Sequence, residues 1–196
     1  TIINLLARFY DVDSGAIMID GVDIRQMSQE ELRSMLGLAT QRPILFTGSI
    51  ADNLRFGHEN TTDDVLAQAA EVAQASAFIA EKEGGMNARI DQGGVNVSGG
   101  QKQRLAIARA LSKRPRIYLF DDSFSALDFK TDARLRAALR KQTADATVII
   151  VAQRVGTIRD ADQIIVLDEG RVVGAGTHTE LMRTSEVYRE IVASQM

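Results

Sequence analysis

Two short stretches of this 196-residue sequence carry residue types and spacings that could do chemistry. The first is Val97-Ser98-Gly99-Gly100-Gln101, which runs into Lys102-Gln103-Arg104-Leu105-Ala106-Ile107-Ala108-Arg109-Ala110-Leu111. A Ser-Gly-Gly-Gln tetrapeptide opening a helix can hold a phosphate. Its glycines let a ligand approach the backbone without a Cβ in the way. The first N–H groups of the helix are unpaired donors at the positive end of its dipole. The same residues also fit a plain capping box, with Ser98 as N-cap and Gln101 as its N3 partner. The second stretch is Ile117-Tyr118-Leu119-Phe120-Asp121-Asp122, an apolar run ending in two carboxylates, followed by Ser125-Ala126-Leu127-Asp128. Buried strands of α/β sheets place ligand-binding groups at their carboxyl ends, where Asp121 falls.

Taken in order, these motifs resemble the signature motif, Walker B strand and D-loop of the nucleotide-binding domain of ATP-binding-cassette (ABC) transporters. The resemblance implies ATP and Mg2+ as cofactors and gives roles to matching positions. Gln41, ahead of Pro43, matches the Q-loop glutamine, whose oxygen can ligate magnesium or order the attacking water. Without the resemblance it reads as a turn glutamine. Asp121 would hold the magnesium on the β- and γ-phosphates, usually through water. Ser98, Gly99, Gly100 and Gln101 belong to a signature that in this family reaches across a head-to-tail dimer to the partner's γ-phosphate. Asp128 would help shape that interface. Val97 replaces the more usual leucine, an apolar packing change that should be tolerated.

Two positions depart from the family pattern. Asp122 stands where the family has a glutamate general base. Aspartate is shorter by one carbon–carbon bond, roughly 1.5 Å, and a misplacement of about 1 Å can cost on the order of a hundredfold in rate. Gln153, after the apolar run Thr147–Val151, stands where the family has a switch histidine that contacts the γ-phosphate. An amide can donate a hydrogen bond there but cannot titrate. Together they imply a degenerate site that binds ATP better than it hydrolyses it, beside an intact signature that completes the partner's site. The implied assembly is a heterodimer with a second ABC subunit, and a transmembrane domain upstream or on a separate chain.

The elements that must position these residues follow from patterning. Thr1–Tyr10 is an uncapped apolar helical pattern. In the family it corresponds to the helix after the phosphate-binding loop, Gly-x-x-x-x-Gly-Lys-Ser/Thr. That loop, its lysine and an adenine-stacking aromatic residue would then lie upstream. The chain as given is expected to be truncated just after the Walker A motif, poorly stable, inactive alone, and a weak binder of ATP at most. Gly15–Gly21 reads as a short strand after a turn at 11–15. Ser28 with Glu30 and Glu31 opens a short helix, and Leu36–Thr40 is a strand leading to Gln41. From Ser49 to about Leu111 the pattern is helical. One helix starts at Asp63-Asp64 with Val65, Leu66, Ala69 and Val72 on its apolar face, and Gly84-Gly85 break the next. Then Ile117–Phe120, Thr147–Val151 and Gln163–Leu167 are apolar runs separated by a helix over Thr131–Lys141 and by loops. Asp168-Glu169-Gly170 is a hairpin turn into Arg171–Gly174. Continuous apolar strands alternating with helices imply a buried, mostly parallel sheet.

The expected fold is therefore α/β: a RecA-like P-loop NTPase core, its N-terminal strands missing, with an inserted helical subdomain. The expected division is 1–48 for the first part of the core with the Q-loop and 49–111 for the helical subdomain with the signature. Residues 112–196 would form the rest of the core, with Walker B, D-loop, switch loop and C-terminal helix.

Composition agrees. Apolar content of 45% with 25% charged residues is that of a globular domain. A net charge of −3 argues against a general nucleic-acid binder. No apolar run reaches the ~18–20 residues that cross a bilayer, and no signal peptide opens the chain. The absence of cysteine excludes disulfides and thiolate metal sites and fits a cytoplasmic setting. His58 and His178 are too far apart in sequence to suggest a metal site. Arg89–Asn96 lies where exporters carry a loop that touches the transmembrane coupling helices, although it differs from the usual acidic-Gly-Glu-Arg-Gly form. The tail from Gly174 resembles the exporter C-terminal helix. These features imply an export ATPase on the cytoplasmic face of a membrane, the plasma membrane if bacterial. Two alternatives stand beside it. One is a non-catalytic regulatory or vestigial ABC piece. The other is an SMC-type DNA-repair ATPase, disfavoured because no heptad array fits between Gln41 and Ser98.

Overall fold

Short apolar runs punctuated by glycine and capping residues set the element order. In the computed structural model, which describes residues 1–195, they fall into two units, Thr1–Val151 and a second from Ala152 onward.

The first unit begins with α1 (Ile2–Leu6), whose N-cap Thr1 makes no side-chain cap bond. The strand expected over 15–21 is a two-residue β1 (Met18–Ile19) paired antiparallel with β2 (Val22–Asp23). Then α2 (Gln29–Ser34) is capped by the Ser28 hydroxyl, which accepts from Glu31 N–H, and leads into β3 (Leu36–Ala39). After the Gln41 loop come β4 (Gly48–Ser49), α3 (Ile50–Arg55), α4 (Asp63–Val72) and α5 (Ser76–Ala80). A two-residue β5 (Arg89–Ile90) follows, then the long α6 (Gly99–Ser112). The unit closes with β6 (Ile117–Asp121), α7 (Phe129–Gln142) and β7 (Thr147–Val151).

The central sheet runs β3-β6-β7, all parallel, as the apolar runs predict. Side chains alternate across it with the period of two that strands impose. Leu36 and Leu119, with the partly buried Leu38, Ile117 and Ile149, face Ile3, Ala7, Ile24 and Leu32. Ala39, Tyr118 and Phe120, with Val148 and Ile150, face a larger cluster that includes Ile50, Leu54, Leu66, Phe78, Leu105 and Ile107. A strand covered on both faces needs an unbroken apolar run, and β6 has one. At Gly37 of β3, an added Cβ would lie 2.6 Å from Pro115 Cγ and 2.8 Å from Ala110 O. Only glycine lets β3 and the end of α6 approach this closely.

The stretch 49–111 departs from the all-helical expectation in one respect. β4 and β5 form a two-stranded antiparallel ladder, Gly48 opposite Ile90 and Ser49 opposite Arg89. Ile90, fully buried, belongs to the larger cluster. Pairs this short leave no period-two signature in the sequence. The break at Gly84-Gly85 is present, with positive φ of 86° and 55° that favour glycine.

The second unit holds α8 (Val155–Ile158), β8 (Ile164–Asp168), β9 (Arg171–Gly176), α9 (His178–Thr184) and α10 (Glu186–Ala193). The hairpin turn expected at Asp168–Gly170 is present, with β8 paired antiparallel to β9. The two form a separate two-stranded sheet, which corrects the expectation that the 163–167 run joins the parallel sheet. Along β8 the exposure alternates, with Ile164 at 5% and Ile165 at 57%. The buried face packs with Val155, Leu181 and Tyr188. The apolar run is thus read by a one-sided hairpin, a use that composition alone does not separate from a buried parallel strand.

Candidate functional site

β6 ends at Asp121, which lies opposite Val151 in the parallel register. The next residue turns sharply. Asp122 has φ +46°, in the left-handed region that Asp and Asn enter more readily than other side chains. Its N–H donates to Val151 O at 2.8 Å, and its carbonyl accepts from the Ser125 hydroxyl at 2.9 Å. One residue on, the fully buried Ser123 donates through Oγ to Ala39 O at 2.7 Å, which ties the end of β6 to the end of β3. This register carries the loop after β3 alongside the carboxylates. Gln41 Nε2 donates to Asp122 Oδ2 at 3.1 Å across 81 residues of sequence. A carboxylate only accepts, so the amide nitrogen must face it and Gln41 Oε1 stays outside that bond. Among the described residues no group of three or more His, Cys, Asp or Glu side chains is placed to hold a metal ion. Asp121 and the Gln41 amide offer oxygen atoms, the donor type that magnesium takes.

The signature residues make the capping box. Ser98 Oγ accepts from Gln101 N–H at 3.2 Å, and Gln101 Oε1 accepts from Ser98 N–H at 3.0 Å. Val97 is buried, whereas Ser98 and Gly99 are exposed. Glycine at 99 answers to no internal demand: a Cβ there would meet nothing within 4 Å, and its φ is not in the left-handed region. At Gly100 a Cβ would lie 3.4 Å from Ala126 O, so the start of α6 packs against the Ser125–Asp128 turn. Asp128 N-caps α7, accepting from Lys130 N–H at 3.1 Å and Thr131 N–H at 2.9 Å. These bonds, those from Thr131 foremost, hold its carboxyl below the usual aspartate range.

Two residues that motif reading passes over tie these parts together. Gln103, buried on α6, donates to Thr40 O at 3.1 Å, one residue before Gln41. Arg104 donates to Gln74 O at 2.7 Å and Gly100 O at 3.2 Å and lies over the Phe78 ring. Burial lowers its pKa, and the Asp128 charge opposes that shift. A glutamine in line with the apolar positions 107 and 110 was the available sequence signal for Gln103.

In the second unit, Gln153 is exposed. Its backbone carbonyl accepts from Gln195 Nε2 at 2.6 Å.

A parallel sheet whose middle strand delivers Asp121 and Asp122 at its carboxyl end, packed on both faces, is consistent with the α/β fold of P-loop nucleotide-binding domains. Comparison with known proteins narrows the class. The family model described as ABC transporter matches residues 1–125. The chain belongs to the ABC transporter family. It is 48% identical over 198 residues to an uncharacterized ABC transporter ATP-binding protein of Mycobacterium tuberculosis, covering 100% of this chain and 34% of that protein. It is 43% identical over 195 residues to ABC transporter B family member 2 of Dictyostelium discoideum, covering 100% of this chain and 14% of that protein. Among solved structures it is similar to a bacterial Atm1-family ABC exporter with ATP bound, at TM-score 0.95 and 40% identity, over 99% of this chain and 34% of that one. The chain thus spans about a third of the length of its first curated relatives. Among the described residues, no helix is long and apolar enough to cross a membrane.

Proposed function

We propose that this chain is the ATP-hydrolysing cassette of an exporter, with a slow site of its own and a competent signature that completes the site of a different partner cassette. The observation that carries the reading is the Gln41–Asp122 contact at the end of β6, with a short carboxylate where the family places a longer one. Asp121 and Gln41 would hold Mg2+, which supplies charge stabilisation on the β- and γ-phosphates. Asp122 orients water at the end of a side chain too short for the task. Gln153 offers a hydrogen bond to the γ-phosphate without a titrating group. Ser98, Gly99, Gly100 and Gln101 act on the partner's ATP, and the empty space about Gly99 supports an approach from outside the chain. Asp128 and its turn pack against the signature and shape the same interface.

In this reading, residues 49–111 are the helical subdomain between core segments 1–48 and 112–196. The loop 89–96, with Val95 exposed, faces a transmembrane domain, and the cassette works at the cytoplasmic face of a membrane without nucleic acid. The test is the steady-state ATPase rate of the purified transporter with single substitutions. Removing donors at a transition-state anion costs about 10²–10³ in rate, so Ser98→Arg nearly abolishes activity. Asp122→Asn lowers it far less, because that site contributes little turnover. Equal damage from the two would identify Asp122 as a working base in a symmetric pair and overturn the reading.

A further inference from the structure

The loop that carries Gln153 is held by a residue 42 positions further along. Gln195 Nε2 donates to Gln153 O at 2.6 Å, and Gln195 Oε1 accepts from Val155 N–H at 2.8 Å. One amide therefore grips the backbone on both sides of Arg154. The geometry explains a second fact. Helix α8 starts at Val155, and its N-cap Arg154 makes no side-chain cap bond. The first N–H of a helix has no partner within the helix, so Gln195 acts as a cap supplied from elsewhere in the chain. The Val155 side chain is buried in the cluster of Ile164, Val166, Leu181 and Tyr188, against which Ile191 and Val192 of α10 also pack. Gln195 is itself set by its backbone N–H, which donates to Val192 O at 3.1 Å at the end of that helix. Apolar packing and a two-pronged hydrogen bond thus fix the same loop to the same tail.

We infer that Gln195 is a positioning residue for Gln153: through it, α10 sets where the switch-loop side chain can reach. The inference rests on the reading of Gln153 as the γ-phosphate contact, and its consequence is that the tail tunes how this cassette distinguishes ATP from ADP. Displacing the tail would release the loop while leaving the Gln153 side chain itself unchanged.

The experiment uses the full transporter, with Gln195→Ala and Gln195→Glu. Hydrogen exchange of the loop peptide containing Val155 is followed without nucleotide. Binding of ADP and of a non-hydrolysable ATP analogue to this cassette's site is measured in parallel. A neutral hydrogen bond corresponds to about a fivefold change in an equilibrium. Gln195→Ala should speed Val155 amide exchange about fivefold or more, and weaken the ATP analogue by a similar factor with ADP unchanged. Gln195→Glu keeps the acceptor for Val155 N–H but loses the donor to Gln153 O, so Val155 should stay protected while the preference for the ATP analogue still falls. Unchanged exchange in Gln195→Ala, or equally fast exchange in both variants, overturns the clamp. Faster exchange in Gln195→Ala alone, with the nucleotide preference intact, upholds the clamp but removes Gln153 as the phosphate contact. An equal loss of both nucleotides marks a general structural defect and overturns the positioning role.

Discussion

Asp122 combines a short side chain with a left-handed backbone, and the two are linked. At φ +46° an aspartate is better tolerated than a glutamate, because its side chain can bond locally. Replacing it therefore changes reach and backbone preference together. Restoring both family residues, Asp122→Glu with Gln153→His, should raise hydrolysis at this cassette's own site by an order of magnitude or more. Single-turnover measurement at that site checks it, and an unchanged rate would show that another step limits turnover. The identities of Gln41, Asp121 and Asp122 were legible in the sequence because each sits at a fixed place in a motif. The bond between Gln41 and Asp122 was not. It depends on the parallel register of β3 with β6, which brings together residues 81 positions apart.

At the scale of the element, α6 shows one residue serving two ends. Ser98 caps the helix through Gln101 N–H and is itself exposed to approach from outside. The two roles separate by substitution. Ser98→Ala removes an N-cap and should lower stability by about 1 kcal/mol, whereas Ser98→Gly costs only a few tenths of that, on the order of 0.3 kcal/mol. Both remove the hydroxyl. Equal ATPase losses in the two variants, set beside unequal unfolding midpoints, would place the hydroxyl and not the cap in the chemistry. If activity instead tracks stability, Ser98 is a capping residue only. The helix was legible from its apolar spacing and its box. The ties from Gln103 and Arg104 to Thr40 and Gln74 were not, since backbone carbonyls of distant loops leave no mark in the sequence.

For the whole molecule, the charged caps set the response to pH. Asp52 and Glu180 accept from Ser49 and Thr177 in their capping boxes, Asp128 accepts from Thr131, and each carboxyl is held below its ordinary range by these bonds. A carboxyl with a depressed folded pKa stabilises fully above its unfolded value, ~3.9 for Asp and ~4.3 for Glu. That contribution is lost as pH falls through the folded value. His58 is lowered as well, by burial and then by Lys113. For a base this means the unfolded chain takes up a proton first, so stability begins to fall as pH drops below about 6.5. Thermal melts of the purified protein should therefore show a shallow decline below about pH 6.5 and a steeper one below about pH 4.3. Maximal stability at pH 3–4 would contradict both assignments. The parallel core was readable at this scale from its apolar runs. The hairpin turn at Asp168–Gly170 was readable as well, but the sheet that β8 joins was not, because a run exposed on alternate residues looks the same in composition as one buried throughout.

The missing side chain at Gly37 has a mechanical meaning. With no Cβ between them, β3 and the Ala110 end of α6 meet at full contact, and Pro115 closes the same gap. That contact makes a fulcrum. From Ala110 the helix, which starts at Gly99, runs back to Ser98 as an arm of about 18 Å at the usual helical rise. A tilt of about 5° at the fulcrum would carry the Ser98 end through about 1.6 Å, the difference between touching a phosphate and missing it, and the Gln103–Thr40 bond would pass part of that tilt to the Gln41 loop.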